Sequence, residues 1–427
     1  MSASRAQVGA TTGWSVPVQV VVSPRGIRAW LIEDRSVPVV ALSFAFAGGA
    51  ALDPPDRPGR ADLAASLLTQ GAGPYDTAAF SSLLRDRAVS LSFDADRDSL
   101  SGSLRVLEAE RAFGAEMLAL ALAEPRFDED AVARVKAQKV LALRRQAEDP
   151  RTLAARRWWA ESLPGHPFAR PANGTEEGIA PLGPDELRAA MAAQLRRGSL
   201  VAAAAGAIDA EGLGTLLDRA FAGAVPEGEA APVPKLPPVR AFGLAVIERD
   251  APQAAATFGH GAIPPEDPDW EAAQVVNWIL GGGGFSSRLM TEIREKRGLT
   301  YGIGTGLVPF RGASLLVGSV STENARFGET LAVLRAEWAR MAEAGPSEDE
   351  VAAGKAYLSG SFPLGFTSTP QIAGTLVALQ LLGRGPEWLA GRLARLAAVT
   401  IEDARRAARR LYDPAALSVA VAGRPAL

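Results

Sequence analysis

Apolar residues alternate with small or polar ones over 18–22, 27–32 and 39–46, a period of two that predicts β-strands. An Asp/Pro turn over 53–58 leads into a helical pattern at 61–69. A second strand pair, 89–93 with 99–106, comes next, and two long helices over 109–122 and 130–146 follow it. The same series returns later: strands 243–247 and 254–259, helix 270–280, strands 300–306 and 313–319, helices 325–342 and 347–357. Each half closes on a strand of small residues, 199–206 and 417–423. Short signatures recur in matching order. Phe80-Ser81-Ser82 is echoed by Phe285-Ser286-Ser287, Arg111-Ala112-Phe113-Gly114 by Ala325-Arg326-Phe327-Gly328, and Asp130-Ala131-Val132 by Asp349-Glu350-Val351, at offsets of 205 to 219 residues.

Strands and helices clustered in this way predict an α+β fold of two homologous domains, each an antiparallel sheet covered on one face by helices. Between them, residues 224–238 carry five prolines among small and polar residues, an extended segment poor in donors and unable to continue a helix. The expected division is an N-terminal domain at 1–223, a Pro-rich linker at 224–238 and a C-terminal domain at 239–427.

Composition narrows the function classes. A chain of 427 residues, 48% hydrophobic and 22% charged, is globular and too long for one ordinary core. A net charge of −3 and a pI near 5.7 leave no basic footprint for nucleic acid. The longest apolar runs, 118–123 and 200–205, are far shorter than the ~20 residues of a membrane span. The opening Met-Ser-Ala-Ser-Arg-Ala-Gln has no apolar h-region, so no signal peptide is expected, although a chain that had lost its leader would read the same. The absence of cysteine excludes disulfides and thiolate metal sites and suits an oxidising periplasm, which is preferred here over the cytoplasm.

The segment Gly59-Arg60-Ala61-Asp62-Leu63-Ala64-Ala65-Ser66-Leu67-Leu68, set after a strand and a Pro-rich turn, resembles the inverted motif G-x-A-H-x-x-E-H of the pitrilysin / mitochondrial processing peptidase family. Asp62, Ala65 and Ser66 stand where that family has His, Glu and His. The family's third ligand is a Glu on a later helix, just before a D-x-P-like turn. Asp149-Pro150 marks that turn here, yet 131–147 contains no acid and carries Arg134, Lys136, Lys139, Arg144 and Arg145. Only His166 and His260 exist, 94 residues apart, and neither begins a metal motif. The chain is therefore expected to bind no metal. Asp62 and Ser66 read as ordinary helix-surface residues, His166 as a structural or surface residue of a turn-rich loop, and His260 as a candidate substrate contact.

The most specific positive signal is the run Gly281-Gly282-Gly283-Gly284-Phe285-Ser286-Ser287-Arg288-Leu289, continuing through Arg294-Glu295-Lys296-Arg297-Gly298-Leu299-Thr300-Tyr301. It resembles the family's glycine run, S-R-L and R-E-x-x-G-L-x-Y. Gly298 can end the helix over 286–297, so that Arg294 near the helix end and Tyr301 on the returning strand converge. A guanidinium and a phenol aimed at one point can hold a peptide carbonyl and stabilise oxyanion charge. Gly281 to Gly284 and Phe285 read as a lip where backbone approaches substrate, not as a phosphate loop, since no Lys-Ser/Thr follows. The resemblance spans about residues 15–425 and implies half of a clam-shell chamber. It implies a non-catalytic subunit, inactive alone, in a heterodimeric zinc metallopeptidase acting on peptides. The partner would be a homologous subunit with H-x-x-E-H that holds Zn²⁺; this chain would lend Arg294 and Tyr301 in trans, and a homodimer is possible when it is alone. Two other readings stay open: a core-type scaffold subunit, like those this family contributes to respiratory complexes, and a metal-independent peptide-binding homodimer.

Overall fold

A computed structural model describes residues 16–427; the N-terminal stretch read for a leader lies outside them. Among the described residues the first half forms six strands: β1 (Gln19–Val22), β2 (Arg28–Glu33), β3 (Val39–Ala47), β4 (Ser90–Ala95), β5 (Ser99–Leu107) and β6 (Leu200–Gly206). They lie in the order β1-β2-β6-β3-β5-β4. The second half forms β7 (Leu244–Glu248), β8 (Gln253–Gly261), β9 (Thr300–Phe310), β10 (Ala313–Glu323) and β11 (Ser418–Gly423), ordered β7-β11-β8-β10-β9. Without β1 the two orders are the same, strand for strand. The repeat in the sequence is a repeat of topology.

The strand pattern explains why each sheet has a dry face. Along β3, Val40, Leu42, Phe44 and Phe46 are buried against β5 residues Leu100, Leu104 and Val106 and against Leu63, Leu67 and Leu118 of the covering helices. Phe44 lies across from Gly102, where a Cβ would come within 2.3 Å of the ring. Phe258 on β8 repeats this with Gly318 on β10, at 2.4 Å. Each glycine makes the space its facing aromatic fills.

Two expectations change. The sheets are mixed rather than antiparallel, because each closing strand inserts between two earlier strands of its half and runs parallel to one of them: β6 lies between β2 and β3, parallel to β2, and β11 between β7 and β8, parallel to β7. Nor is each sheet covered on one face only. Helix Pro150–Ser162 from the first half lies on the second sheet, burying Trp158 with Leu315, Phe310 and Ala420. Helix Thr369–Leu381 from the second half lies on the first, burying Ile372, Leu376 and Val377 with Trp30, Ile32, Ala203 and Ala205. The exchange is fastened by matching hydrogen bonds to the two closing strands. Trp158 Nε1 donates to Ser418 O at 3.2 Å, and Gln380 Nε2 donates to Ala202 O at 2.9 Å. The Pro-rich segment runs without regular structure, and Val233, Leu236 and Val239 pack onto the Trp158 cluster.

Candidate functional site

The family's metal position falls on helix Arg60–Leu67. Its start is set by Asp53 in the preceding turn, whose carboxylate accepts from Gly59 N and Ala61 N, both at 2.9 Å. Burial pushes the Asp53 carboxyl up to about 6, against the pull of those two amides. Asp62 is buried rather than at the helix surface, which corrects the sequence expectation. Its carboxylate meets the Lys139 ammonium of helix Glu129–Gln146 at 2.5 Å. Burial raises the Asp62 carboxyl, Lys139 pulls it back, and nearby Asp94 on β4 adds to the rise. Ser66, half-buried, donates its hydroxyl to Asp62 O at 2.8 Å.

These residues do not fit zinc. A tetrahedral site needs three convergent imidazole, carboxylate or thiolate ligands. Here the one carboxylate is already matched by an ammonium, Ala65 has no donor atom, and the Ser66 hydroxyl is spent on backbone. Among the described residues no group of three or more His, Cys, Asp and Glu could hold a metal ion. Other cations of the same helix are also engaged: Lys136 Nζ donates to Ala180 O and Leu182 O at 2.9 and 2.8 Å, and Arg144 Nε to Glu176 at 2.9 Å.

The Arg/Tyr element is built on a short helix that runs mostly as a π-turn, Met290–Glu295. Gly298, in the left-handed region at φ +59°, ends it, with its N–H on Arg294 O at 2.9 Å. Arg288 anchors the element from one side, giving Nε and Nη2 to the Glu350 carboxylate at 2.6 Å each and Nη2 to Gly345 O at 3.1 Å. Lys296 and Arg297 both pair with Glu292, at 2.7 and 2.8 Å, and hold its carboxyl below the usual range. Arg294 differs. Among the described residues no carboxylate pairs with it, and its guanidinium lies over the Phe285 ring, 4.6 Å from the centroid.

Tyr301 is the second residue of β9, the edge strand of its sheet. Thr300 faces Thr322 and Ile303 faces Val320, so Tyr301 and Gly302 together oppose Ser321 alone. That is a β-bulge, fixed by Thr300 Oγ1, which donates to Ser321 O at 2.6 Å and accepts from Gly302 N at 3.1 Å. The bulge breaks the alternation: Ile303 is 5% exposed and Tyr301 is 90% exposed. Sequence spacing pointed to Arg294 and Tyr301 but gave no sign of the bulge.

The glycine run divides. A Cβ on Gly281 would meet Thr305 Oγ1 at 2.4 Å, and one on Gly283 would meet Trp278 O at 2.7 Å. Gly282 is likewise hemmed by Asn277. These three let the chain close onto β9 and the preceding π-turn Trp278–Gly282. Gly284, at φ +56° with open space around it, carries Phe285 outward, 64% exposed. His260 does not reach a cleft. It is buried on β8, its Nε2 accepts from Trp338 Nε1 at 3.2 Å, and its Nδ1 therefore carries the proton given to Gly261 O at 2.7 Å. Burial holds it neutral by lowering its pKa. Both ring nitrogens serve the core, so the expected substrate contact is withdrawn. His166 caps a 3-10 turn by accepting from Phe168 N at 3.2 Å.

Fold and site together define a zinc-peptidase-type chain whose metal position is filled by a Lys–Asp ion pair. A family model described as "Peptidase M16 inactive domain" matches residues 181–358. The "non-peptidase homolog YmxG" of Helicobacter pylori is 28% identical over 333 residues, 78% of this chain and 77% of that protein. The "uncharacterized zinc protease SCO5738" of Streptomyces coelicolor is 31% identical over 248 residues, 57% of this chain and 54% of that one. The crystal structure of a peptidase M16 inactive domain from Pseudomonas fluorescens superposes with a TM-score of 0.90 at 27% identity, covering 96% of this chain and 98% of that one. The chain belongs to the M16 peptidase family, as a non-catalytic member related to zinc proteases.

Proposed function

We propose that this chain is the metal-free subunit of a two-subunit zinc peptidase of the periplasm, lending Arg294 and Tyr301 to substrate held against a homologous partner that carries H-x-x-E-H. The observation that carries this reading is Arg294, a cation that no carboxylate among the described residues pairs with, in an element whose other cations are paired, close in sequence to a tyrosine that a bulge exposes. A free guanidinium and a free phenol suit a peptide carbonyl that gains charge during hydrolysis. The unfilled side of β9 offers an edge for an extended peptide, partly closed by Gly281 and its neighbours. The half-chamber wall and the glycine lip complete this chain's share; the partner supplies the metal and the base.

The test is to mix the chain with its H-x-x-E-H partner and follow cleavage of an internally quenched peptide. The chain alone is expected to be inactive, and the mixture to exceed the partner alone. In the complex Tyr301→Phe should lower kcat on the order of 10²-fold, and Arg294→Ala should also raise KM. Assembled mutant complexes with wild-type kcat/KM would make the pair structural and favour the scaffold reading.

A further inference from the structure

We propose that Phe285 is the positioning residue of this site: its ring holds one face of the Arg294 guanidinium and so aims the N–H edges of the fork at the substrate carbonyl. The proposal rests on the peptidase-subunit reading above and adds to it how the cation is kept both ordered and unspent.

An exposed arginine has two ordinary anchors. A carboxylate fixes it well, as Glu350 fixes Arg288, but that consumes donors and cancels charge. An aromatic face fixes it without using any of the five N–H donors and leaves the charge in place. Arg294 has the second kind of anchor, at 4.6 Å, while Arg288, Lys296 and Arg297 have the first. The turn that carries the ring is itself held in place. Phe285 is the middle residue of the 3-10 turn Gly284–Ser286. The fully buried Ser287 locks that turn by donating its hydroxyl to Gly284 O at 2.8 Å, and Ser286 N bonds Gly283 O at 3.2 Å. The positive φ of Gly284 turns the ring out of the core, where an apolar side chain would otherwise pack. A glycine lip that carries a phenyl ring under an unpaired guanidinium is a support for that guanidinium, and it explains why an apolar residue stands exposed at the lip.

The experiment uses the complex with the H-x-x-E-H partner, an internally quenched peptide, and the variants Phe285→Leu, Phe285→Tyr, Arg294→Ala and the Phe285→Leu/Arg294→Ala pair. Phe285→Leu keeps apolar bulk without a π-face and should raise KM about 2- to 5-fold with kcat little changed. Phe285→Tyr should keep the wild-type KM, and in the Arg294→Ala background Phe285→Leu should add nothing. In the isolated chain, the Arg294 Nε–H resonance should carry a ring-current shift that Phe285→Leu removes and Phe285→Tyr preserves. A wild-type KM for Phe285→Leu beside a weakened Arg294→Ala overturns the positioning role and leaves the peptidase reading standing. So does an equal loss in both Arg294 backgrounds. Wild-type kinetics for Arg294→Ala overturn the peptidase reading, and this proposal with it.

Discussion

A buried carboxylate and a half-buried ammonium that meet across two helices behave as a unit: the carboxylate is costly without its partner. Asp62 and Lys139 retain only 12% and 21% of their side-chain exposure, so removing Lys139 strands a desolvated carboxylate. Lys139→Met alone should cost about 2–4 kcal/mol in chemical denaturation, and Asp62→Leu alone a comparable amount. The double variant should recover most of that loss, since two apolar side chains can occupy the same space without a desolvation penalty. Additive losses would show that the two residues act separately. The vacancy itself was legible from residue types at 62, 65 and 66. What filled it was not: the cationic helix announced that no third ligand was present, but nothing in its spacing singled out Lys139 from Lys136 or Arg134. Burial decided that, as it decided against His260, whose place at a strand end left its direction open.

An element can be legible in type and still hide its working geometry. Helix, glycine stop and returning strand around Arg294 and Tyr301 follow from Gly298 and the strand pattern after it. The π-turn and the bulge do not, because both belong to a segment set by tertiary packing: Met290, Ile293, Leu299 and Ile303 are buried in one cluster with Val320 of β10 and with Phe327 and Leu331 of the helix Phe327–Ala344. Gly298 provides a clean probe of the stop. A Cβ there would meet nothing within 4 Å, so a Gly298→Ala variant suffers only the left-handed backbone at φ +59°. It should lose about 1–2 kcal/mol of stability, with Gly298→Asn losing less. Equal stability of the alanine variant would mean that the helix end can rearrange. Helix Pro150–Ser162 was missed although its Asp149-Pro150 start is a standard signal, with the Asp149 side chain accepting from Thr152 N at 3.2 Å. The turn reading and the start reading share one dipeptide, and only the Arg- and Trp-rich stretch beyond it separates them.

At the scale of the whole molecule, duplication in sequence coexists with exchange in space. Two copies of one strand order could form two independent cores, yet each sheet is finished by a helix encoded in the other half. Lys136 and Lys355 show how closely the copies track one another. Both sit seven residues into their long helices, and both give an ammonium to paired carbonyls, Ala180 and Leu182 in one half, Ala397 and Val399 in the other. Exchange couples what duplication separates, because opening either half exposes the apolar face that its own helix covers on the other sheet. Trp158 is the place to test this. It has no exposed surface, it packs with Leu315, Phe310 and Ala420 of the second sheet, and its indole N–H donates to Ser418 O at 3.2 Å. Trp158→Ala should cost about 3–5 kcal/mol, lost from packing and from a stranded carbonyl. Its location in the first half of the chain makes the consequence diagnostic. If the halves are one cooperative unit, scanning calorimetry of the variant should show a single transition moved to lower temperature. Amide exchange should then be accelerated in β3 and β6 of the first sheet as well as in β10, β11 and helix 150–162. Were the halves independent, the variant would split into two transitions, one of them at the wild-type temperature, and exchange in the first sheet would be untouched.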